Sequence, residues 1–293
     1  MENKKAGTIE APATTHTNII LNKAEDVNAK INLSEKSKIF VQVTADSLYT
    51  RIPAIVSNKT LMFISDRADV QTERYYSVIT YVVPSEEEFD KIPVQDGKAE
   101  LSERTSEYCC KRFSMLPSLV CDFDCKKGAD GKPDEYDLDL LIKEIIEFAD
   151  AMDKGGIKIN RDAFTYFTGC KGCRLVIPYA VLGVKEYAPG SISKIRKDME
   201  CLTRKLIRRF ATNPEYMLER FDRSSFSADR IMRAAYSINP KTQLAAFPFD
   251  SLDVSSKIGI AEVRIKSKEL IDGTLKPVNY DGRQLEMNSV VNE

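Results

Sequence analysis

Histidine is almost missing from this chain: its 293 residues include one, His16. That residue stands in a stretch rich in Thr, Asn, Ala, Lys and Glu, with no aromatic residue before Phe40. Such a composition buries little, so residues 1–38 read as a flexible N-terminal arm and His16 as a solvated side chain. A catalytic role for a histidine is therefore not expected. Long apolar runs are also missing: no stretch approaches the ~18 residues that cross a bilayer, and the first residues lead into no apolar signal core. We therefore expect no membrane association and a protein that is intracellular rather than secreted. No excess of either charge exists, since 43 Lys and Arg face 44 Asp and Glu, so any polyanion affinity must come from local segregation of charge. Cysteine is too sparse for a disulfide framework, and its count of seven is odd, which predicts reduced thiols.

The hydrophobic share, 43%, is enough for a sizeable core. Folded structure is expected from residue 39. β-Branched and aromatic runs at 38–43, 60–65 and 75–83 predict strands, and the apolar segment 117–124 predicts a central one. Ser85, three residues before Glu88, is placed to cap a short helix. Leu138, Leu141, Ile142, Ile145, Ala149 and Met152 recur at helical spacing, with Asp134 as cap and Gly155-Gly156 as stop. Strands at 164–167 and 174–177 flank Thr168-Gly-Cys-Lys-Gly172 and predict a hairpin. A second long helix is expected at 191–210, broken by Pro214. Mixed helices and strands in this order predict an α/β or α+β fold, a mixed and irregular β-sheet flanked by helices. We expect one catalytic domain over 39–251 and an extension over 252–293.

Within Leu119-Val-Cys-Asp-Phe-Asp-Cys125, the two-residue period of a strand puts Asp122 and Asp124 on one face. Adjacent carboxylates on a buried strand repel unless a cation lies between them, which suits a divalent ion with oxygen ligands. The alternative is a strand running out into a solvated acidic loop. The turn 168–172, followed by Arg174, combines close backbone approach at glycine with a hydroxyl and two cations, a fit for a triphosphate or simply an ordinary hairpin turn. Downstream lie Arg220 and Asp222, then Arg233-x-x-x-Ser-x-Asn239-x-Lys241-Thr. Cys109-Cys110, Cys121-x-x-x-Cys125 and Cys170-x-x-Cys173 invite a zinc reading. Strand parity argues the other way by turning Cys121, Cys125 and Cys173 off the carboxylate face, so no structural zinc is expected. Residues 191–210 hold seven basic residues against two acidic ones, either a track for a nucleic-acid backbone or a solvated face.

The order of these pieces resembles the archaeo-eukaryotic primase superfamily over roughly 117–249. That family shows an Asp-x-Asp or Asp-x-Glu strand, a Ser-Gly-x-x-Gly-x-His turn, a late Asp and a segment ending Ser-x-His/Asn-x-Lys-Thr-Gly. The resemblance implies a primase-type catalytic domain with Asp122, Asp124 and Asp222 as catalytic ligands of two Mg²⁺ or Mn²⁺ ions. It places Thr168, Lys171, Arg174, Arg220, Arg233 and Asn239 at the triphosphate, with Lys241 matching the family lysine. Thr168 stands in place of Ser, Arg174 in place of His and Gln243 in place of Gly. The implied activity is template-directed nucleotidyl transfer, as a DNA primase or primase-polymerase taking NTPs or dNTPs on single-stranded DNA. Alternatives are a gap-filling polymerase, a terminal transferase, or a non-catalytic nucleic-acid-binding replication protein. No Gly-x-x-x-x-Gly-Lys-Ser/Thr loop occurs, so unwinding would fall to a separate helicase or accessory replication subunit.

Overall fold

A computed structural model describes residues 38–45, 50–56, 73–95, 103–159, 163–228, 230–249 and 259–275. The expected strand at 60–65 and the arm with His16 lie outside them. Strands β1 (Ile39–Ala45), β2 (Ile52–Ile55) and β3 (Tyr75–Val83) begin the fold. Every residue of β3 is buried, as its run of β-branched and aromatic side chains, interrupted at Ser77, requires of a central strand. Ser85 caps helix α1 (Glu86–Asp90) by accepting from the N–H of Glu88, and α2 (Thr105–Arg112) follows.

The segment expected to be one strand at 117–124 is divided. Strand β4 (Ser114–Pro117) pairs with β3, whereas β5 (Leu119–Asp124) joins another sheet. Pro117 supplies no N–H to a continuing ladder, and at Ser118 the chain gives its N–H to the carbonyl of Val78 and leaves β3 behind. The strand that carries the aspartates is thereby freed to pair elsewhere.

Helix α3 (Glu135–Lys154) starts at Asp134, whose carboxylate accepts from the N–H groups of Tyr136 and Asp137. Strands β6 (Phe164–Phe167) and β7 (Gly172–Ile177) form the expected hairpin. A short α4 (Tyr179–Leu182), then α5 (Ile192–Phe210) and α6 (Pro214–Arg220) follow, with Pro214 opening the last of these. The remaining strands are β8 (Ile231–Arg233), β9 (Ile238–Asn239), β10 (Leu244–Ala245) and β11 (Phe247–Pro248), before helix α7 (Ile260–Ile271).

The strands form several antiparallel sheets rather than one. The first runs β2-β1-β3-β4, with β8 also on β3; the second runs β11-β6-β7-β5; β9 and β10 make a small hairpin. Helix α3 packs along β5, β6 and β7, and α5 along β5. One continuous apolar cluster includes β3, β5, α3, α5 and also α7, through Val263 and Leu270. Helix α7 is held further by Ser267, whose hydroxyl donates to the carbonyl of Ala245, and by Asp139, which accepts from the N–H of Ile260. Among the described residues, no helix is long and apolar enough to cross a membrane.

Candidate active site

Register across the second sheet builds the site. Asp122 lies opposite Arg174, Arg174 opposite Tyr166, and Asp124 opposite Gly172. One sheet face therefore carries tyrosine, arginine and aspartate side by side. Arg174 donates to Oδ1 of Asp122 from Nε at 3.1 Å and from Nη2 at 3.0 Å. Its Nη1 donates to the Tyr166 hydroxyl and to the carbonyl of Arg233, both at 3.1 Å. Four of five guanidinium donors are thus used, and the side chains of Arg174 and Asp122 are 7% and 6% exposed.

Asp222 reaches this face because its N–H donates to the carbonyl of Asp122 at 2.8 Å, beside a bridge between Phe123 and Phe221. Ser224 gives its N–H to one oxygen of the Asp222 carboxylate at 2.8 Å and its hydroxyl to the other at 2.9 Å. Arg230 then spans two acids through Nη2, at 2.8 Å from Oδ2 of Asp222 and 3.3 Å from Oδ2 of Asp122. Lys171 caps Asp124. Asp122, Asp124 and Asp222 therefore lie in one cluster, interleaved with three cations.

Their protonation follows from these surroundings. Burial, with Asp122 beside it, raises the Asp124 carboxyl above its usual range despite Lys171. Burial pushes Asp222 the same way, but its bonds from Ser224 and the nearby Arg230 prevail and hold it below the usual range. For Lys171, Asp124 outweighs burial and raises the ammonium. Among the described residues, no three His, Cys, Asp or Glu side chains are grouped to hold a metal ion as they stand. The donor set nonetheless fits a hard divalent cation once two of the cations turn aside. Arg230 and Lys171 have side chains 34% and 42% exposed, and moving them would free Asp124 and Oδ2 of Asp122, while Asp222 would keep its bonds from Ser224. Oδ1 of Asp122 stays with the buried Arg174.

The glycine turn is shaped for close approach. A Cβ on Gly172 would lie 2.5 Å from the carbonyl oxygen of Phe123 and 2.6 Å from Oδ1 of Asp124. Gly169 has φ +85 and sits against Asn239 and Leu244. Thr168 turns its hydroxyl inward, to the carbonyl of Gly172 at 3.0 Å, and Thr242 bonds the carbonyl of Gly169, which latches the turn to the β9-β10 hairpin. Asn239 accepts the N–H of Lys241 at 3.0 Å. Lys241 is exposed, and with Lys171 it lowers the thiol of Cys170, although burial leaves that thiol raised overall. Gln243 has φ +57, in the left-handed region that favours glycine, and its amide donates to the carbonyl of Pro240.

Two expected phosphate ligands are placed elsewhere. Arg220 ends α6 with its guanidinium on Asp137 of α3, at 2.8 Å from both oxygens, and its side chain is 4% exposed. The helix ends after Arg220, so the bond from Asp222 to β5 carries the next turn of chain away from it. Arg233 donates to the carbonyl of Ile238 and to the Tyr75 hydroxyl, with its guanidinium over the Tyr75 ring. Three residues that complete the site were missed. Tyr166 was accessible from the sequence, since a turn closing between Phe167 and Cys173 fixes the pairing of Tyr166 with Arg174. Tyr76 of β3, whose hydroxyl lies 3.2 Å from that of Tyr166, and Arg230 come from other elements and carry no local signal.

Cys121 points to α5, within 3.5 Å of the Thr203 hydroxyl, and Cys125 and Cys173 are buried. Burial pushes the Cys121 thiol up to about 12 and the Cys125 thiol up to about 11. Helix α5 therefore lies behind the sheet, on the face opposite Asp122. Of its basic residues, Lys194 pairs with Asp198 and Arg204 with Glu200, while Lys197, Lys205 and Arg208 face outward. No protein-family model matches the chain, and no curated protein matches it.

Proposed function

We propose that this chain performs template-directed nucleotidyl transfer on single-stranded DNA, as a DNA primase or primase-polymerase. The observation that carries the reading is the convergence of Asp222, from a separate element, onto the Asp122 and Asp124 strand, fixed by a backbone bond of 2.8 Å. Asp122 through Oδ2, Asp124 and Asp222 would hold two Mg²⁺ or Mn²⁺ ions, whose chemistry is to activate a 3′-hydroxyl and stabilise the leaving pyrophosphate. Arg174 fixes the rotamer of Asp122. Lys171 and Lys241 stand where a triphosphate laid along the glycine turn presents its oxygens, and both are exposed enough to grip them. Arg174 and Arg220 are buried and paired with Asp122 and Asp137, so in this reading they position other groups and do not bind phosphate. A helicase or accessory subunit would supply the opened template.

The test is primer-free synthesis on a single-stranded template with labelled NTPs or dNTPs and Mn²⁺. Wild type is expected to begin from two nucleotides, while Asp124→Asn and Asp222→Asn fall to background with melting curves unchanged. Extension of a supplied 3′ end without such starts would indicate a gap-filling polymerase or terminal transferase. A second reading, a non-catalytic nucleic-acid-binding protein, draws on the fact that both oxygens of Asp122 are held by arginines. Template binding with no incorporation by wild type would establish it.

A further inference from the structure

Three carboxylates and three side-chain cations make the cluster electrically balanced with no ion added. The cations differ in mobility. Arg174 is 7% exposed and bonded on four sides, whereas Arg230 is 34% exposed and Lys171 42% exposed. Arg230 touches the acids through one nitrogen, Nη2, which occupies the space between Oδ2 of Asp122 and Oδ2 of Asp222. A divalent cation shared by those oxygens would meet the guanidinium at contact distance, where like charges repel strongly. Ions arriving alone must therefore expel Arg230 into water with no new partner. A triphosphate arriving with the ions carries about four negative charges of its own, and a planar guanidinium binds phosphate oxygens through charge-assisted bonds.

We propose that Arg230 is an exchangeable counter-ion: it holds Asp122 and Asp222 in the free protein and passes to the triphosphate when nucleotide and divalent ion enter together. This rests on the nucleotidyl-transfer reading of the same site. It makes Arg230 a nucleotide-binding residue and couples ion binding to nucleotide binding, since each stabilises the state in which the other fits.

The experiment measures Mn²⁺ binding to the full chain by the paramagnetic resonance signal of free Mn²⁺, with and without an α,β-methylene nucleoside triphosphate. For wild type, the analogue should tighten Mn²⁺ binding by about tenfold or more. Arg230→Gln should bind Mn²⁺ alone about tenfold more tightly than wild type, because the competing charge is gone, and should lose most of the gain from the analogue. Arg230→Lys, which keeps the charge but not the planar fork, should resemble wild type without the analogue. Thermal melting of both variants checks that they fold. If Arg230→Gln binds Mn²⁺ alone no better than wild type while Asp124→Asn loses binding, the exchange is wrong and the ion site stands. If wild type, Arg230→Gln and Asp124→Asn are indistinguishable with and without the analogue, the nucleotidyl-transfer reading fails and the exchange fails with it.

Discussion

Arg174 sits where a phosphate ligand is expected, yet its donors end on Asp122, Tyr166 and the carbonyl of Arg233. A charge this deeply buried is tolerated only because it is paired, and Asp122 raises its guanidinium further above an already high value, against the opposing effect of burial. Removing one partner leaves the other uncompensated. Arg174→Ala is accordingly expected to destabilise the protein by about 3–5 kcal/mol, read as a shift of the urea midpoint at constant slope. A loss below about 1 kcal/mol together with a large drop in nucleotide affinity would return Arg174 to the phosphate role. A histidine at this position would be too short to reach Asp122, Tyr166 and the Arg233 carbonyl at once. Both sides of this ion pair were legible as residue types. Their mutual engagement was not, because it depends on which residue of β7 lies opposite Asp122.

Strands β5 and β7 leave room for a side chain at the turn on one condition, that position 172 has none. With a Cβ, Gly172 would press on the Phe123 carbonyl and the Asp124 carboxylate, at 2.5 and 2.6 Å. Gly172→Ala is expected to cost about 1–3 kcal/mol of stability and to reduce nucleotide incorporation more than Gly156→Ala, a substitution that meets no atom within 4 Å but is strained at φ +98. Equal incorporation by the two variants would show that the Asp124 geometry is not critical. Helices α3 and α6 are joined in a different manner, by Asp137 and Arg220. Burial would raise Asp137, but bonds from Arg220, the Lys126 N–H and Tyr216 hold it below the usual carboxylate range. A carboxylate depressed in the folded state contributes stability that is full above the unfolded value, near 4, and is lost as pH falls through the lower native value. Asp137→Asn should therefore destabilise by about 3–5 kcal/mol at pH 7 through the stranded guanidinium. The gap between variant and wild type should shrink below about pH 4; a gap independent of pH down to 2 would remove the ion pair as its cause. The helices and caps were readable because Asp134, Ser85 and the 3.6-residue apolar spacing act locally. Arg220 misled because its partner lies 83 residues away on another helix.

The two main sheets meet beside the carboxylates, on the face that carries Tyr166, Arg174 and Asp122, and their junction decides where the site can be. Tyr76 of β3 and Tyr166 of β6 bring their hydroxyls within 3.2 Å, and Tyr166 also donates to the carbonyl of Arg233 in β8 at 2.9 Å. Arg174 completes the cluster, so one chain of bonds runs from β3 through β6 and β7 to Asp122. The division of 117–124 into β4 and β5 serves the same junction, since it sends one strand to each sheet. Sequence showed the strands as hydrophobic runs but not which sheet each joins, because that is settled by pairing across distant segments and by a single proline. Burial raises the Tyr76 hydroxyl well above its usual range, so it remains a neutral donor or acceptor at any working pH. The network should behave as a coupled unit. In a double-mutant cycle, Tyr76→Phe and Tyr166→Phe should each destabilise by about 1–3 kcal/mol, and the double variant by less than their sum, with a coupling of about 0.5–1.5 kcal/mol. Tyr166→Phe also removes the acceptor of one Arg174 donor, so it alone should loosen Asp122 and weaken Mn²⁺ binding in the presence of a triphosphate. Additive losses within about 0.3 kcal/mol, with Mn²⁺ binding unaltered by Tyr166→Phe, would mean that the sheets are joined by packing alone and that Asp122 is held by Arg174 without help from the junction.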